Sequence, residues 1–383
     1  MADAPAGMLT VDALQDLLTG LCAAPVAVSR WESLEPWAVA RVWLRSASVL
    51  PRSVVVKCIR EGLRGARTAH RRLHTELAAL QFLSDVGPGL TPRVIAADVA
   101  AGFLVLEDLA PRVCLDQLLR RDGAAAHGGR LAAFARARGE LSAATAGQAE
   151  TYYARRAGLG RFDAVADQAV RLAPVHNDAI GQAVGLGSQP SGHTVHELAS
   201  VMDELADPGP FLALSNGDAE ANNVMLYAYG PPDARLIDLE FAGYTHALTD
   251  AVCLYVPGPA WLTVGDPTST GLADQYRHAL ARGIPEAEDD RRYGDGLAAA
   301  CISWALVRLR RLALLDTRSP GDSSRLQLVA TLEAAAHTAD THQALPHVCS
   351  WMRRIAAVLR HRWPDADQDL ADSERFPPYR PRT

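Results

Sequence analysis

The strand-prone runs of this chain crowd into its first third, and most of the remainder reads as helix. Val26-Ala-Val-Ser, Ala38-Val-Ala-Arg-Val-Trp-Leu and Ser53-Val-Val-Val-Lys-Cys-Ile are short and rich in β-branched residues, with Pro36 and Pro51 between them, as in an antiparallel meander. Arg93-Val-Ile-Ala-Ala and Gly102 to Leu109 supply a further strand pair. Beyond Asp108 the Ala- and Leu-rich stretches predict helices over 130–155, 193–205, 270–282, 290–316, 323–345 and 347–362, with a loop at 185–192 and a polar tail from 364. A single core stops growing at roughly 250–300 residues, so a chain of 383 suits two packed domains. This segregation predicts an α+β fold with a small antiparallel-sheet lobe over 1–107 and a larger, mainly helical lobe over 108–383.

Of the 38 basic residues, one is a lysine, Lys57. Arginine and lysine exchange freely on a solvated surface, but a compact ammonium seated among phosphate oxygens and a carboxylate has no guanidinium equivalent. Alternation along 53–59 puts Val55, Lys57 and Ile59 on one strand face and Val54, Val56 and Cys58 on the other. A helix over about Thr68 to Ser84 comes next, with Leu73, Leu77, Leu80 and Leu83 as its apolar stripe. Glu76 falls inside that stripe, and a carboxylate carried toward a core needs a partner. Lys57 is the natural one.

The same lysine limits the alternatives. A Walker-type loop places glycines before its lysine, whereas Val54-Val55-Val56 precede Lys57. Six cysteines lie far apart with no C-x-x-C pair, which predicts neither a zinc site nor a disulfide framework but reduced, mostly buried thiols. No segment reaches the ~18 apolar residues needed to span a bilayer and no signal-peptide pattern opens the chain, so a cytoplasmic protein without a membrane partner is expected. A net charge of −6 offers no general attraction to nucleic acid. G-x-S-x-G and G-x-G-x-x-G are both missing, so hydrolase and dinucleotide readings lack their motifs.

Chemistry concentrates between Phe211 and Asp250. An apolar run enters Asn216-Gly217-Asp218, Asn223 comes five residues later, and after a turn at Gly230-Pro-Pro-Asp a strand-like stretch ends at Asp238. Phosphoryl transfer asks for this set of groups: one carboxylate to orient a hydroxyl, and oxygen ligands to hold Mg2+ on the phosphates. G-D-x-x-x-x-N followed by I-D-x-E resembles the motifs of the aminoglycoside phosphotransferase family, and the similarity runs in order along most of the chain.

The resemblance implies a two-lobed, protein-kinase-like fold and transfer of the γ-phosphate of ATP or GTP to a hydroxyl. It implies Lys57 on the α- and β-phosphates, paired with Glu76, and Glu107 to Leu109 as the hinge that receives the base. It further implies Asp218 as catalytic base, Asn223 and Asp238 as ligands of Mg2+, and Asp250 as a structural brace of the catalytic loop. The implied acceptor is a small molecule, aminoglycoside-like or another natural product. A Ser/Thr hydroxyl of a peptide is the alternative, as is a retired pseudokinase that only binds a partner. The family places His before Gly-Asp where this chain has Asn216, and no glycine stands between Gly20 and Gly62 to build a phosphate-covering loop. His193 and His196 match no metal motif, and the acidic run Glu286 to Asp290 reads as a solvated face.

Overall fold

The computed structural model describes residues 10–34, 38–46, 50–58 and 69–382. The expectations that fell on Pro36, Ile59 and Thr68 lie outside the described residues. The chain packs as two compact units, one made of 1–112, 150–162 and 235–242, the other of 113–149, 163–234 and 243–383.

The smaller unit begins with α1 (Val11–Cys22), capped by Thr10, whose Oγ1 accepts from the Ala13 N–H at 3.1 Å. Strands β1 (Val26–Ser33), β2 (Val39–Ser46) and β3 (Ser53–Cys58) lead to α2 (Ala69–Val86), and β4 (Val94–Asp98) and β5 (Phe103–Glu107) complete an antiparallel sheet in the order β1-β2-β3-β5-β4. Period-two alternation separates its faces. Val54 and Val56 bury themselves with Val42 and Val105 in a cluster that includes Leu14 and Leu18 of α1. Each leucine so buried stabilises the fold by roughly 1.5–3 kcal/mol. Sequence reading assigned no element to residues 11–22, although the four-residue spacing of Leu14 and Leu18 behind a Thr cap is the signal of a short amphipathic helix.

Lys57 sits on the opposite face, in register with Val39 on β2 and Leu104 on β5. Helix α2 buries Leu73, Leu77, Leu80 and Leu83 as its stripe predicts, and Glu76 with them. Two segments distant in sequence complete this unit. In 150–162, Tyr152 meets the Phe82 ring edge-on and the buried Arg156 donates from Nε to Thr75 Oγ1 at 3.3 Å; in 235–242, the Leu236 N–H bonds the Leu90 carbonyl at 2.8 Å.

The remaining elements run in chain order: β6 (Val113–Cys114), α3 (Leu115–Asp122), α4 (Gly128–Thr145), α5 (Ala149–Gly158), α6 (Ala164–Gly185) and α7 (Gly192–Ala206). Then come β7 (Leu212–Ser215), β8 (Val224–Leu226), β9 (Arg235–Leu236), β10 (Gly243–His246), α8 (Val252–Tyr255) and α9 (Leu272–Ala281). Four helices, α10 (Asp290–Leu309), α11 (Leu312–Asp316), α12 (Ser323–Thr341) and α13 (Pro346–Arg362), precede the C-terminal segment. Of these, α5 and β9 belong to the smaller unit. A sheet and helices first, helices after, is the α+β organisation expected.

The helix expected over 130–155 is two, because Gly147 takes a left-handed φ of +71° that ends α4. The helix expected over 290–316 breaks where the Arg311 N–H bonds the Arg308 carbonyl at 3.0 Å. The expected polar tail is packed instead. Phe376 and Tyr379 are buried, Tyr379 lies edge-on to Trp261, and the Leu262 N–H bonds the Arg380 carbonyl at 2.8 Å. All six cysteines are free, but only Cys301 and Cys349 are fully buried, so the expectation of mostly buried thiols fails for the four that are half-buried. No helix among the described residues is long and apolar enough to cross a membrane.

Candidate active site

In the smaller unit the chemistry gathers around Lys57. Its Nζ donates to Glu76 Oε1 at 2.9 Å, stands 2.7 Å from Glu76 Oε2, and donates to Asp238 Oδ1 at 2.6 Å. Glu240, two residues beyond Asp238, pairs with Arg72 of α2 at 3.1 Å. Burial works against the ammonium, but Glu76, Asp238 and Glu240 together outweigh it and raise the Lys57 pKa. Burial raises the Glu76 carboxyl, with Lys57 opposing. Removing Lys57 would strand the buried Glu76 carboxylate, at a cost of roughly 3–5 kcal/mol.

Asp238 has φ of +62°, a left-handed conformation that a non-glycine residue adopts only under constraint. In that conformation the Asp238 carboxylate meets Lys57 of β3. Carboxylate oxygens of Glu76, Asp238 and Glu240 lie within 4.8 Å of one another, a hard-oxygen set of the kind Mg2+ takes. Among the described residues this is the one such cluster, and His193 and His196 of α7 belong to none.

At the end of β5, the Glu107 carboxylate accepts from the Arg93 N–H at 3.1 Å, and Leu109 is buried. Between them Asp108 Oδ1 accepts from the Ala110 N–H at 3.0 Å while Oδ2 pairs with Arg41 Nε at 2.9 Å. The side chain of Glu107 is thus engaged along the sheet edge.

In the larger unit β7 delivers the segment around Asp218. Asn216, fully buried, brackets that residue: its Nδ2 donates to the Asp218 carbonyl at 3.0 Å and its Oδ1 accepts from the Asp218 N–H at 3.2 Å. Asn223 closes the turn, its Nδ2 donating to the Asp218 carbonyl at 2.9 Å and to Oδ2 at 3.0 Å, while its Oδ1 accepts from Asn222 at 2.8 Å. Gly217, at φ of +76°, donates its N–H to Ser215 Oγ at 2.9 Å, and Ser215 Oγ in turn donates to Asp250 Oδ1. The structure therefore brings Lys57, Glu76 and Asp238 together in one unit, and Asp218, Asn223 and Asp250 together in the other.

Sequence reading quoted Glu240 as the end of I-D-x-E but gave it no role, and missed Asn222, Glu220, Ser215 and Arg138. Glu220 and Asn222 lie inside G-D-x-x-x-x-N and Ser215 just before it, so their position was the available signal; Arg138 lies far upstream on α4 and gave none. Burial, and next the Asp218 charge, push Glu220 up to about 8. In the acidic run, Asp289 caps α10 through the Arg291 and Arg292 N–H groups at 2.9 and 3.0 Å, and Asp290 pairs with Arg277 at 2.7 Å.

Comparison with known proteins gives this geometry its context. Residues 38–295 match the profile of the family described as "Phosphotransferase enzyme family". No curated protein sequence is significantly similar to the chain. Among solved structures, choline kinase from Streptococcus pneumoniae is 14% identical, with 85% of this chain and 98% of that one covered and a TM-score of 0.43. Ethanolamine kinase of Plasmodium vivax is 10% identical over 80% and 81%, with a TM-score of 0.45. The streptomycin–ATP complex of APH(2″)-IIa is 13% identical over 84% and 97%, with a TM-score of 0.45.

Proposed function

The chain belongs to the phosphotransferase enzyme family, and from that premise we propose that it transfers the γ-phosphate of ATP or GTP, as its Mg2+ complex, to a hydroxyl of a small aminoglycoside-like or other natural-product acceptor. The observation that carries this reading is the placement of the chain's one lysine between Glu76 and Asp238. A cation fixed by a helix carboxylate on one side, beside a strained carboxylate on the other, is the apparatus that aligns a triphosphate.

Lys57 binds the α- and β-phosphates, and Glu76 keeps its ammonium pointed at them. The stretch from Glu107 to Leu109 receives the base. Asp238 and Asn223 are the residues that would hold Mg2+, whose chemistry when bound is to neutralise charge on the phosphates. The carboxylate oxygens of Asp238 and Glu240 lie within 4.8 Å of each other, hard donors of the type such an ion takes, which supports Asp238 in that role. Asp218 accepts the hydrogen bond of the acceptor hydroxyl and takes its proton as the bond to phosphorus forms. Asn216, in the place of the family histidine, bonds both sides of the Asp218 backbone, which supports a working loop in preference to a retired one.

Asp218→Asn is expected to lower turnover by roughly 10²–10⁴-fold and leave nucleotide binding intact, whereas Lys57→Ala and Asp238→Ala should abolish the Mg2+- and nucleotide-dependent rise in Tm. Turnover is read with a panel of amino-sugar, amino-alcohol and Ser/Thr-peptide acceptors, phosphate being located by mass spectrometry. Full activity of the Asp218 variant, or no Tm rise in the wild type with millimolar ATP or GTP, would refute the reading. Phosphate found only on peptide Ser/Thr would replace the small-molecule acceptor.

A further inference from the structure

Arg138 lies in the middle of α4, and its side chain is fully buried. Its Nη2 donates to the Glu220 carbonyl at 3.4 Å, and its Nη1 stands 3.9 Å from Asp250 Oδ2. Neither Nη1 nor Oδ2 has a hydrogen-bond partner among the described residues, so this cation and anion are each other's main compensation. Asp250 Oδ1 accepts from Ser215 Oγ, and Ser215 Oγ accepts from the Gly217 N–H. One guanidinium thus holds both ends of the turn from Ser215 to Glu220, whose centre is Asp218: the near end through Asp250 and Ser215, the far end through a carbonyl.

The helix that carries Arg138 has no room to move. A Cβ at the next residue, Gly139, would lie 2.4 Å from the Tyr276 carbonyl of α9, and one at Gly283 would lie 2.2 Å from the Ala143 carbonyl of α4. Tyr276 in turn donates from Oη to the Ala247 carbonyl at 2.8 Å, three residues before Asp250. Helix α4 is keyed to α9, and α9 to the segment that bears Asp250.

We propose that Arg138 is a positioning residue for phosphoryl transfer, setting the register of the Ser215–Glu220 turn by holding Asp250 as a carboxylate and Glu220 through its carbonyl. The proposal rests on the assignment of Asp218 as the catalytic base. With Asp250 ionised, Ser215 must donate to it and so presents a lone pair to the Gly217 N–H. With Asp250 protonated that polarity is no longer imposed, and the turn loses one end. Burial raises the Asp250 carboxyl, Arg138 is the largest influence opposing it, and the Ser215 hydrogen bond also opposes it. The other ionisable groups turned toward Asp250, Tyr276 from α9 and Cys253 from α8, are neutral and supply no substitute cation.

The test compares Arg138→Leu, Arg138→Lys and the double variant Arg138→Leu/Asp250→Asn in the full chain. Arg138→Leu should lower kcat by roughly 10²-fold with the nucleotide KM little changed, and its activity should recover toward wild type as pH rises and Asp250 ionises. At a pH where Asp250 is protonated the double variant should be no slower than Arg138→Leu, and it should lack the recovery at higher pH, because that recovery runs through the Asp250 carboxylate. Arg138→Lys keeps a cation beside Asp250 but cannot reach the Glu220 carbonyl as well, so it should fold, show the wild-type pH profile and lose part of kcat.

A readout independent of turnover is amide exchange across 213–221, where the Gly217 N–H should lose protection in Arg138→Leu and regain it in Arg138→Lys. An unchanged kcat in Arg138→Leu, a double variant that still recovers as pH rises, or unchanged exchange would overturn the proposal. Exchange that responds as expected in a protein whose wild type transfers no phosphate would uphold the tether and refute the assignment of the reaction.

Discussion

Glu220 holds a nearly buried carboxyl two residues beyond Asp218, raised to about 8 chiefly by burial and next by the Asp218 charge, with Arg138 and Arg308 opposing. Its presence costs stability in a definite pH window. An unfolded glutamate ionises near 4.5, so between there and about 8 folding takes up a proton, and stability falls as pH rises at up to about 1.4 kcal/mol per unit. Above about 8 both states are ionised and the loss levels off. Glu220→Gln removes the titration and keeps the shape. The Tm of the variant minus that of the wild type should therefore grow from pH 5 to pH 8 and stay constant beyond, as read by calorimetry without nucleotide. A difference that is flat across this range would mean that the carboxyl is solvated in the folded protein.

Among the elements, α4 and α9 meet along a close seam, where Gly139 of α4 and Gly283, just past α9, let backbone meet backbone. Gly283→Ala drives a methyl group onto the Ala143 carbonyl and is expected to cost roughly 1–3 kcal/mol. At Gly181, in α6, a Cβ would meet nothing within 4 Å, and replacement by Ala should instead stabilise by about 0.5–1 kcal/mol. Opposite signs of the Tm shift in thermal unfolding check the pair together. Such seams mark the limit of what could be read in advance. Lys57, Glu76 and the leucine stripe of α2 were legible because alternation and helical spacing are local rules. Asp218, Asn223 and Asp238 were legible because they share one short segment. Arg138 was not, since its partners lie about eighty and more than a hundred residues downstream and only the fold brings them to α4. Helix α6 was missed for a different reason: it runs through Pro174, which a local rule treats as a break.

At the scale of the whole molecule, a chain with one lysine can be interrogated by chemistry that would be blurred elsewhere. Arginines cover the charge needs of its surface and do not react with acylating reagents, so the α-amino group and Lys57 are the only amines such a reagent meets. Lys57 is held in two ion pairs, its side chain 15% exposed and its pKa raised by Glu76, Asp238 and Glu240 against the pull of burial. Acylation requires the free amine, and each unit by which the pKa stands above that of an unfolded lysine lowers the reactive fraction about tenfold. The native protein should therefore acquire its Lys57 adduct at least about ten times more slowly than the urea-unfolded chain, and peptide mapping should find no other modified side chain. Mg2+ with ATP should slow the adduct further by occupying the ammonium. Acylation of the native protein at the unfolded rate would mean that Glu76 and Asp238 do not hold Lys57 in solution, and the triphosphate site would lose the observation that carries it.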